Sequence, residues 1–414
     1  MGQCKANRPI SQNFATNRSI EGAFEKDPQR NEQRLAKPLK NRLLQIMLKT
    51  LRSKALLAAS SLLLLLMGGC ATISPDTYRG TANGYNIAMQ EVGDEQLLLN
   101  IVRLRYRDAP YFFETSSITS QLDLTTSAGI SGSFPLSGDV PDVLQGSTGI
   151  SFAERPTISY TPLKGDEFFN RLLGRITFED IALLTNSGWS MDTVSRMVIQ
   201  RTNGVNNAVG ASGPTPTIPP IYKDFLKIAD SLFALQMTSS VQMGEVPHGD
   251  SMHPVIYLPK TGANQQADRL RELLSLDPSI EIYKVTSGPA VYAPGGGDTI
   301  EINTRSLLGV LFFLSQGVNV PEEDLNAGRV TRTLDQDGSV FNWNETLQGL
   351  FRVESSKSAP DNASTAVRYR DTWFYIEDND LLTKATFMLL SQMFALRTGD
   401  SQSQTPILTI PVSN

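Results

Sequence analysis

The sequence predicts an α+β protein in which helices cluster beside an antiparallel sheet, with a long β-hairpin near residues 116–160. Two patterns support this class. Some stretches repeat apolar residues at the i, i+3, i+4 spacing of a helix, whereas others alternate apolar and polar residues with a period of two. The helical stretches are grouped apart from the strands, and this grouping is typical of α+β proteins.

The first long helix is predicted over Tyr85–Arg107 and ends before Pro110. Its apolar stripe consists of Leu97, Leu98, Ile101, Val102 and Leu104. Asn100, Arg103 and Arg107 fall on another face of the helix. A ligand-binding role is one interpretation of this row, but we favour a solvated or ion-paired face.

The hairpin is predicted from two runs in which apolar residues occupy even positions and Ser, Thr, Asp and Gly lie between them. These apolar residues are Ile118, Leu122, Leu124, Ile130 and Phe134 in the first run, and Ile150, Phe152, Ile158 and Tyr160 in the second. The polar segment Pro135–Ser147 joins the runs. We expect an ordinary sheet packed on helices. The alternative is that the hairpin lends strands to a membrane assembly of several subunits, because outer-membrane strands alternate in this way over ~10 residues.

Short helices are predicted next. Asp166–Leu173 is followed by Thr177, the predicted N-cap of a helix through Ile181–Leu184, and by Ser190, the predicted N-cap of Met191–Gln200. These elements complete a region over 85–202. Residues 203–220 are rich in Asn, Gly and Pro, which predicts a linker between domains or an exposed loop.

Residues 221–414 form a second α+β region in this prediction. Its helices are predicted at Tyr222–Gln236, Ala267–Leu274, Ser306–Leu314 and Leu381–Leu396. Its strands are predicted at Pro254–Leu258, Ile280–Val285, Thr299–Ile302, Ala366–Arg370, Trp373–Ile376 and Ile407–Val412. Glycines and prolines at 288–297 predict a hairpin-like turn.

The pattern of the N-terminal region predicts an export segment. Residues 1–46 are polar and have no apolar periodicity, so we interpret them as an over-extended start, with Met47 as the initiator, or as a disordered leader. From 47 to 69, basic residues precede the uncharged run Ala55–Gly69, which is the order of a signal peptide. Cys70 follows two glycines at the end of this run.

The run that ends in Gly68-Gly69-Cys70 resembles the lipobox of bacterial lipoproteins. The resemblance covers residues 47–71. It implies that Cys70 is the lipid attachment site and the first residue of the mature protein, followed by a tether over 70–84. Position 71 is Ala rather than the aspartate of inner-membrane retention, which favours an outer-membrane anchor facing the periplasm. The alternative is an uncleaved membrane anchor.

Composition excludes several classes of function. Residues 70–414 carry 25 basic and 38 acidic side chains, a net charge of −13, so nucleic acid is not a predicted partner. After Cys70 the body has no cysteine, which excludes an internal disulfide, a thiolate metal site and a cysteine nucleophile. The predicted partners are therefore the membrane, through the lipid, and proteins of the envelope, and no cofactor is predicted.

The best catalytic candidate fails on its geometry. Gly249-Asp250-Ser251 resembles the nucleophile block of GDSL esterases, which need a histidine base from elsewhere in the chain. The two histidines, His248 and His253, flank Ser251 itself. With Asp250 they offer at most three metal ligands without helical spacing. We predict neither a catalytic nor a metal site here, and a polar loop before the strand instead.

An acidic run and a glycine run are two further candidates for a chemical role. Glu377, Asp378 and Asp380 precede a predicted helix, so N-capping by Asp378 or Asp380 is favoured over acid–base chemistry or calcium binding. The glycines at 295–297 lack the lysine of a phosphate-binding loop.

The stretch most suited to an interaction surface lies near the end. Arg368, Arg370, Trp373 and Tyr375 concentrate residue types that dominate interface hot spots. The sequence therefore favours a lipid-anchored envelope protein that binds other proteins, as a scaffold or accessory subunit. The alternatives are an oligomeric outer-membrane pore or ring component using the 116–160 hairpin, and an envelope hydrolase using His253 or the carboxylates at 377–380.

Overall fold

A computed structural model of the chain describes residues 47–54, 56, 75–133, 143–249, 251–287 and 297–398. Within these residues the chain is α+β, as predicted. The helices are α1 (Pro75–Arg105), α2 (Asp166–Leu173), α3 (Phe178–Asn186), α4 (Met191–Val198), α5 (Lys223–Met237), α6 (Gln265–Leu274), α7 (Leu307–Ser315), α8 (Glu322–Asn326), α9 (Asn344–Leu347) and α10 (Leu381–Thr398). The strands are β1 (Phe113–Ser133), β2 (Val143–Pro162), β3 (Ile199–Thr202), β4 (Val205–Asn206), β5 (Gln242–His248), β6 (Ser251–Tyr257), β7 (Ile282–Ser287), β8 (Thr299–Thr304), β9 (Glu354–Ser356), β10 (Ala363–Tyr369) and β11 (Thr372–Glu377).

The largest sheet has six strands in the order β4-β3-β8-β7-β6-β5. It is mixed rather than antiparallel, because β7 and β8 run parallel, with Val285 opposite Ile300. The prediction of a hairpin-like turn at 288–297 is therefore wrong. Glycine and proline indicate where regular structure stops, but they do not indicate the direction of the next strand.

Helices α3, α4, α5 and α6 share an apolar core with this sheet. Phe225, Leu235 and Tyr283 are fully buried there. A cavity of about 30 Å³ remains between helices and sheet. Its lining is apolar on both sides, from Val194 and Ile228 on the helices to Ile256 and Ile302 on the strands.

A second sheet has three strands in the order β10-β11-β9. Val367, Phe374 and Ile376 are buried on its inner face. The ring of Phe374 meets that of Tyr106, just beyond α1, edge to face with centroids 6.1 Å apart. The alternation of buried and exposed residues along these strands follows from their period of two.

The predicted hairpin is a two-stranded sheet of its own. Strands β1 and β2 pair antiparallel from Phe113 opposite Pro162 to Ser133 opposite Val143, with one irregularity between Thr115 and Ser117. We call this element the ribbon. Within the described residues the ribbon strands pair only with each other, so the expected ordinary sheet packed on helices is not what forms.

The ribbon register places apolar residues of the two strands on one face, as the alternation predicts. Residues directly opposite each other in an antiparallel pair share a face. The pairs on the apolar face include Ile118 with Ile158, Leu124 with Phe152, Thr126 with Ile150, and Gly132 with Leu144. The pairs on the other face include Thr119 with Thr157, Thr125 with Ser151, Ser127 with Gly149, and Ser131 with Gln145. The ribbon therefore has one apolar-rich and one polar face over most of its length.

Residues 203–220 are neither a domain boundary nor a wholly exposed loop. They lie inside a compact unit that spans Asn83–Asn414. Asn207, Ala208, Ala211 and Thr215 are buried. The prediction was wrong because an Asn-, Gly- and Pro-rich composition indicates irregular backbone, whereas burial depends on which polar groups the backbone meets.

Arg305 supplies those partners. It is 1% exposed and donates to the backbone carbonyls of Arg196 (3.0 Å), Met197 (3.0 Å) and Ile199 (2.9 Å), and to that of Asn207. Its Nε donates to Ser212 Oγ at 3.1 Å. Burial lowers the pKa of Arg305 to about 9, which still leaves the group charged at neutral pH. This side chain joins the end of α4, the start of β3 and the irregular loop.

The predicted helix caps are confirmed in part. Thr177 and Asp180 form a capping box: Thr177 Oγ1 accepts from the N–H of Asp180 at 3.2 Å, and the Asp180 carboxylate accepts from the N–H of Thr177 at 2.9 Å. Asp380 accepts from the N–H of Thr383 at 3.0 Å at the start of α10. Ser190 is the N-cap residue of α4 but its side chain makes no capping bond.

Helix α1 begins at Pro75, ten residues before the predicted start and within the stretch predicted as a tether. By its contacts the chain divides into Met1–Ala82 and Asn83–Asn414. Cys70, the leader at 1–46, most of the predicted signal peptide and the predicted strand Ile407–Val412 lie outside the described residues. Of the helices described, none is both long and apolar enough to cross a bilayer.

Candidate functional site

The root of the ribbon is bound to α1 by two side-chain amides, an arrangement we call the amide clamp. Asn100 Oδ1 accepts from the N–H of Tyr111 and Asn100 Nδ2 donates to its carbonyl, both at 2.8 Å. Gln96 Oε1 accepts from the N–H of Phe113 at 2.7 Å and Gln96 Nε2 donates to its carbonyl at 3.0 Å. Each amide therefore binds one residue of an extended chain as a neighbouring strand would.

The spacing explains why the clamp fits. Gln96 and Asn100 are four residues apart, a rise of about 6 Å on a helix. Tyr111 and Phe113 are two residues apart, about 6.6 Å in an extended chain. Asn100 is fully buried, so the interpretation of its helix face as solvated or ion-paired is wrong at this position. An exposed helix face and one that binds an extended backbone both carry polar residues, and the sequence pattern did not separate them.

A groove of about 410 Å³ lies beside the clamp, between α1 and strand β10. We call it the α1–β10 groove. Its α1 wall is one helix face, formed by Val92, Glu95, Gln96, Leu99 and Arg103. Its other residues are Tyr111, Phe113, Ala366, Val367, Arg368 and Trp373.

Among the described strands, β10 lies at the edge of its sheet, and Ala366, Val367 and Arg368 of this strand line the groove. The turn between β10 and β11 has two residues, so the flanking pair Tyr369 and Thr372 exchanges backbone hydrogen bonds. Along an antiparallel strand, every second residue directs its backbone N–H and C=O groups toward the neighbouring strand, and the residues between direct theirs away from it. The N–H and C=O groups of Ala366 and Arg368, two residues that line the groove, therefore point away from β11.

The groove is locally positive on an acidic chain. Arg103 and Arg368 line it with one carboxylate, Glu95. Arg368 is exposed and pairs with Asp371 at 3.0 Å, but the Asp371 side chain is 92% exposed, so water screens that pair. Trp373 lies opposite Arg368 in the register and is half-buried. The groove therefore combines an indole ring and two guanidinium groups with a strand that has no second neighbour among the described strands.

Arg370 lies in the turn of the same hairpin but has a different environment. Arg370 and Asp371 have φ of +48° and +62°, the left-handed values of a type I′ turn. The Arg370 guanidinium lies 5.0 Å from the ring centroid of Tyr106 and donates to Asp108 at 2.8 Å. Tyr369 Oη also donates to Asp108. These hydrogen bonds, from Tyr369 first and from Arg370, lower the pKa of Asp108.

Tyr106 extends this cluster into the interior. Its Oη donates to Asp324 Oδ2 at 2.5 Å, and Arg329 donates to the other oxygen of the same carboxylate. Burial alone would raise the pKa of Asp324, but the hydrogen bonds from Tyr106 and Arg329 outweigh it and leave the pKa below its usual value. Burial and the Asp324 carboxylate raise the pKa of Tyr106. Asp108 and Asp324 are thus structural anions that hold this end of α1 to β10 and α8.

The four residues predicted as an interaction surface are divided by the structure. Arg368 and Trp373 line the groove. Tyr375 is half-buried on the same outer sheet face, opposite Ala366. Arg370 is bound to Asp108 at the turn. Of the helix wall, the sequence singled out Arg103 alone, although positions 92, 95, 96, 99 and 103 follow a helical repeat.

The histidines lie in a hairpin rather than in the predicted polar loop. His248 ends β5, and His253 lies on β6 opposite Val246. Their ring centroids are 4.9 Å apart. In the described part of the chain, no three His, Cys, Asp or Glu side chains converge as metal ligands would, and Asp250 lies outside it. The prediction of a loop was wrong because β5, with Pro247 and Gly244, does not resemble a strand in composition.

Comparison with known proteins gave no relative: no protein-family model, no curated protein and no solved structure matches this chain.

Proposed function

We propose that this chain is a lipid-anchored protein of the bacterial cell envelope that works by binding, as a scaffold or accessory subunit of an envelope assembly. The lipobox-like run that ends in Cys70 supports an anchor at the outer membrane on its periplasmic side. A lipid-modified amino-terminal cysteine carries more than one acyl chain, which is enough for stable attachment.

The α1–β10 groove carries the binding part of this proposal. An extended segment of a partner that lies along β10 can pair with the outward backbone groups of Ala366 and Arg368. Trp373 offers it a large apolar surface, and Arg103 and Arg368 favour a segment with acidic side chains. The partner class is therefore a protein with an extended, acidic segment.

Pull-down of the full-length protein after gentle crosslinking in envelope membranes tests this role. The paired substitution Arg368→Ala and Trp373→Ala should reduce the recovered partner at least tenfold, because truncating one hot-spot residue costs about 2 kcal/mol or more. The matched control pair is Arg269→Ala and Phe169→Ala, an exposed arginine and an exposed aromatic residue outside the groove. Equal recovery from the groove pair and the control pair would reject the groove as the binding site.

The anchor has its own test. Mass spectrometry of the amino-terminal peptide should find Cys70 lipid-modified, with no peptide from residues 1–69 in the mature protein. Cys70→Ser should move the protein from the membrane fraction to the soluble fraction if cleavage still occurs, or leave an unprocessed precursor. An unmodified Cys70 within an intact chain that is still membrane-bound would reject the lipoprotein assignment.

A second candidate function, an oligomeric outer-membrane pore or ring component, is favoured by the charge distribution along the ribbon. Residues 124–133 and 143–152 carry no charged side chain. Ten residues of strand extend about 33 Å, close to the ~30 Å hydrocarbon core of a bilayer. Charged residues return immediately toward the body, at Asp123, Glu154 and Arg155. An uncharged stretch of this length with one apolar face is what a membrane-crossing hairpin needs.

Dye release from vesicles tests this second candidate. Ile130 and Ser131 are neighbours near the middle of the uncharged stretch 124–133, and the register assigns them to opposite faces. Ile130→Lys should abolish release, because lysine on a lipid-facing position near the midplane costs about 2–4 kcal/mol. Ser131→Lys introduces the same charge on the polar face and should leave release unchanged. No release by the parent protein, or equal release by both variants, would reject membrane insertion of the ribbon.

A further inference from the structure

We infer that the ribbon is an assembly interface between copies of this chain, in which β1 of one copy pairs edge to edge with β2 of the next. The inference deepens the ring candidate and rests on it. Strands β1 and β2 run for 21 and 20 residues, and within the described structure each strand has only the other as a neighbour. Each strand therefore presents one outer edge to a further strand.

The outer edges lack the features that keep edge strands apart. Natural edges are blunted by charged residues, proline or cover from another element. The stretches 124–133 and 143–152 contain neither charge nor proline. In contrast, β5, the long edge strand of the six-stranded sheet, carries Glu245, Pro247 and His248 within seven residues. The same chain protects one edge and leaves the other open.

An isolated two-stranded ribbon is marginally stable in water. Within the stretches 124–133 and 143–152, the polar-face residues whose burial is described are Thr125, Ser127, Ser147, Gly149 and Ser151, and every one is exposed. Nothing among the described elements therefore covers the polar face at these positions. Pairing with a further strand on each side would supply the missing backbone partners.

The ribbon's own pattern identifies a second copy as the occupant. Strand β2 of one copy beside β1 of another repeats the antiparallel pairing already present within each ribbon. Both strands alternate apolar and polar residues with a period of two. The apolar face therefore continues from one copy to the next when the pairing register is shifted by an even number of residues. Head-to-tail contacts of this kind close into rings when the rotation per copy allows it.

Thiol crosslinking between singly substituted chains tests the order of strands. Full-length chains with Cys4→Ser and one added cysteine, Thr125→Cys on β1 or Ser151→Cys on β2, are coexpressed and treated in membranes with a short bismaleimide. Positions 125 and 151 are exposed, so a cysteine there is compatible with the fold. Ser147→Cys, two polar-face positions along β2, covers a shifted register.

A mixed dimer of Thr125→Cys with Ser151→Cys or Ser147→Cys chains is the expected result, at a yield at least tenfold above that of either chain alone. Lys260→Cys, on an exposed loop of the body, measures random collision and should give no dimer. The parent chain without an added cysteine measures any reaction at Cys70. Equal melting temperatures of parent and variants show that the fold is kept.

Two results would overturn the inference. Efficient dimers from Thr125→Cys chains alone would mean that β1 pairs with β1, and absence of mixed dimers in both registers would mean that the ribbons do not pair. The dye-release assay separates this inference from the pore candidate. Mixed dimers without dye release support paired ribbons and reject the pore, whereas dye release without mixed dimers overturns the pairing and keeps the pore.

Discussion

Replacing Arg305 by methionine should strongly destabilise the body. Methionine keeps an unbranched apolar chain in place of the aliphatic part of arginine, but it is shorter and donates no hydrogen bond. The carbonyls of Arg196 and Ile199 also accept from Asn207 Nδ2, at 2.9 and 2.6 Å, and would keep a partner. For the carbonyls of Met197 and Asn207, the guanidinium is the donor that the described structure offers.

The size of the effect follows from these partners. Two buried carbonyls left without a donor cost about 1–3 kcal/mol each. The cation over the Phe313 ring, 4.0 Å from its centroid, adds about 2 kcal/mol for a desolvated pair. Methionine recovers part of this loss, because it removes the cost of burying a charge. We expect a net decrease in the free energy of unfolding of about 3–4 kcal/mol.

Urea unfolding followed by tryptophan fluorescence measures this decrease as a lower midpoint at an unchanged m-value. Arg332→Met is the matched control, since Arg332 is exposed and, within the described residues, makes one hydrogen bond, to Asn326. It should change stability by less than about 0.5 kcal/mol. A decrease below about 1 kcal/mol for Arg305→Met would refute the reasoning that this guanidinium holds the irregular loop in the core.

Three further predictions concern α1 and the β10–β11 hairpin. Asp324→Asn should lower the free energy of unfolding by about 2 kcal/mol at pH 7, since its hydrogen bonds involve a charged acceptor. The folded-state pKa of Asp324 is lowered, so the stability that its carboxylate contributes is present above the unfolded-state pKa. This stability is lost as the pH falls through the folded-state pKa. The urea midpoint of the variant should therefore decline less between pH 5 and pH 2 than that of the parent. Asn100→Ala should cost about 1–3 kcal/mol by removing the two hydrogen bonds to the Tyr111 backbone, and hydrogen exchange should become faster at Tyr111; an unchanged rate would argue against the amide clamp. Asp371→Gly should raise thermal stability by about 0.5–1 kcal/mol, because glycine adopts φ of +62° without strain, and a lower melting temperature would contradict this.

The ribbon could be predicted because its pattern is local. Alternation from Ile118 to Tyr160 indicates two strands, and the polar segment between the runs indicates that they form one hairpin. The capping box at Thr177 is equally local, because its two residues are three apart. What alternation does not indicate is the number of strands in a sheet. The sequence therefore predicted an ordinary sheet, whereas β1 and β2 form a sheet of two strands.

The buried polar groups could not be predicted, because their partners are distant in the chain. Arg305 binds carbonyls about 100 residues earlier, and Asn100 binds a backbone eleven residues later across a turn. The sequence alone does not distinguish a buried arginine of this kind from an exposed one. The parallel pairing of β7 with β8 is hidden for a similar reason, since strand direction depends on the path of the connection.

The α1–β10 groove was predicted in part, from one of its walls. Arg368 and Trp373 were predicted to belong to an interaction surface, because arginine and aromatic residues are concentrated in this stretch of the sequence. The opposite wall on α1 consists of ordinary helix residues, whose role depends on what lies opposite them. A binding surface built by two segments more than 250 residues apart is visible only when the fold brings them together.

The amide clamp also has a mechanical meaning. A ribbon held at one residue could swivel about that point, but Gln96 and Asn100 hold two residues and so define a line. The direction of the ribbon is therefore set by the axis of α1. A pull along the ribbon would load all four hydrogen bonds of the clamp together in shear, whereas a sideways push would open them one after another, beginning at Phe113.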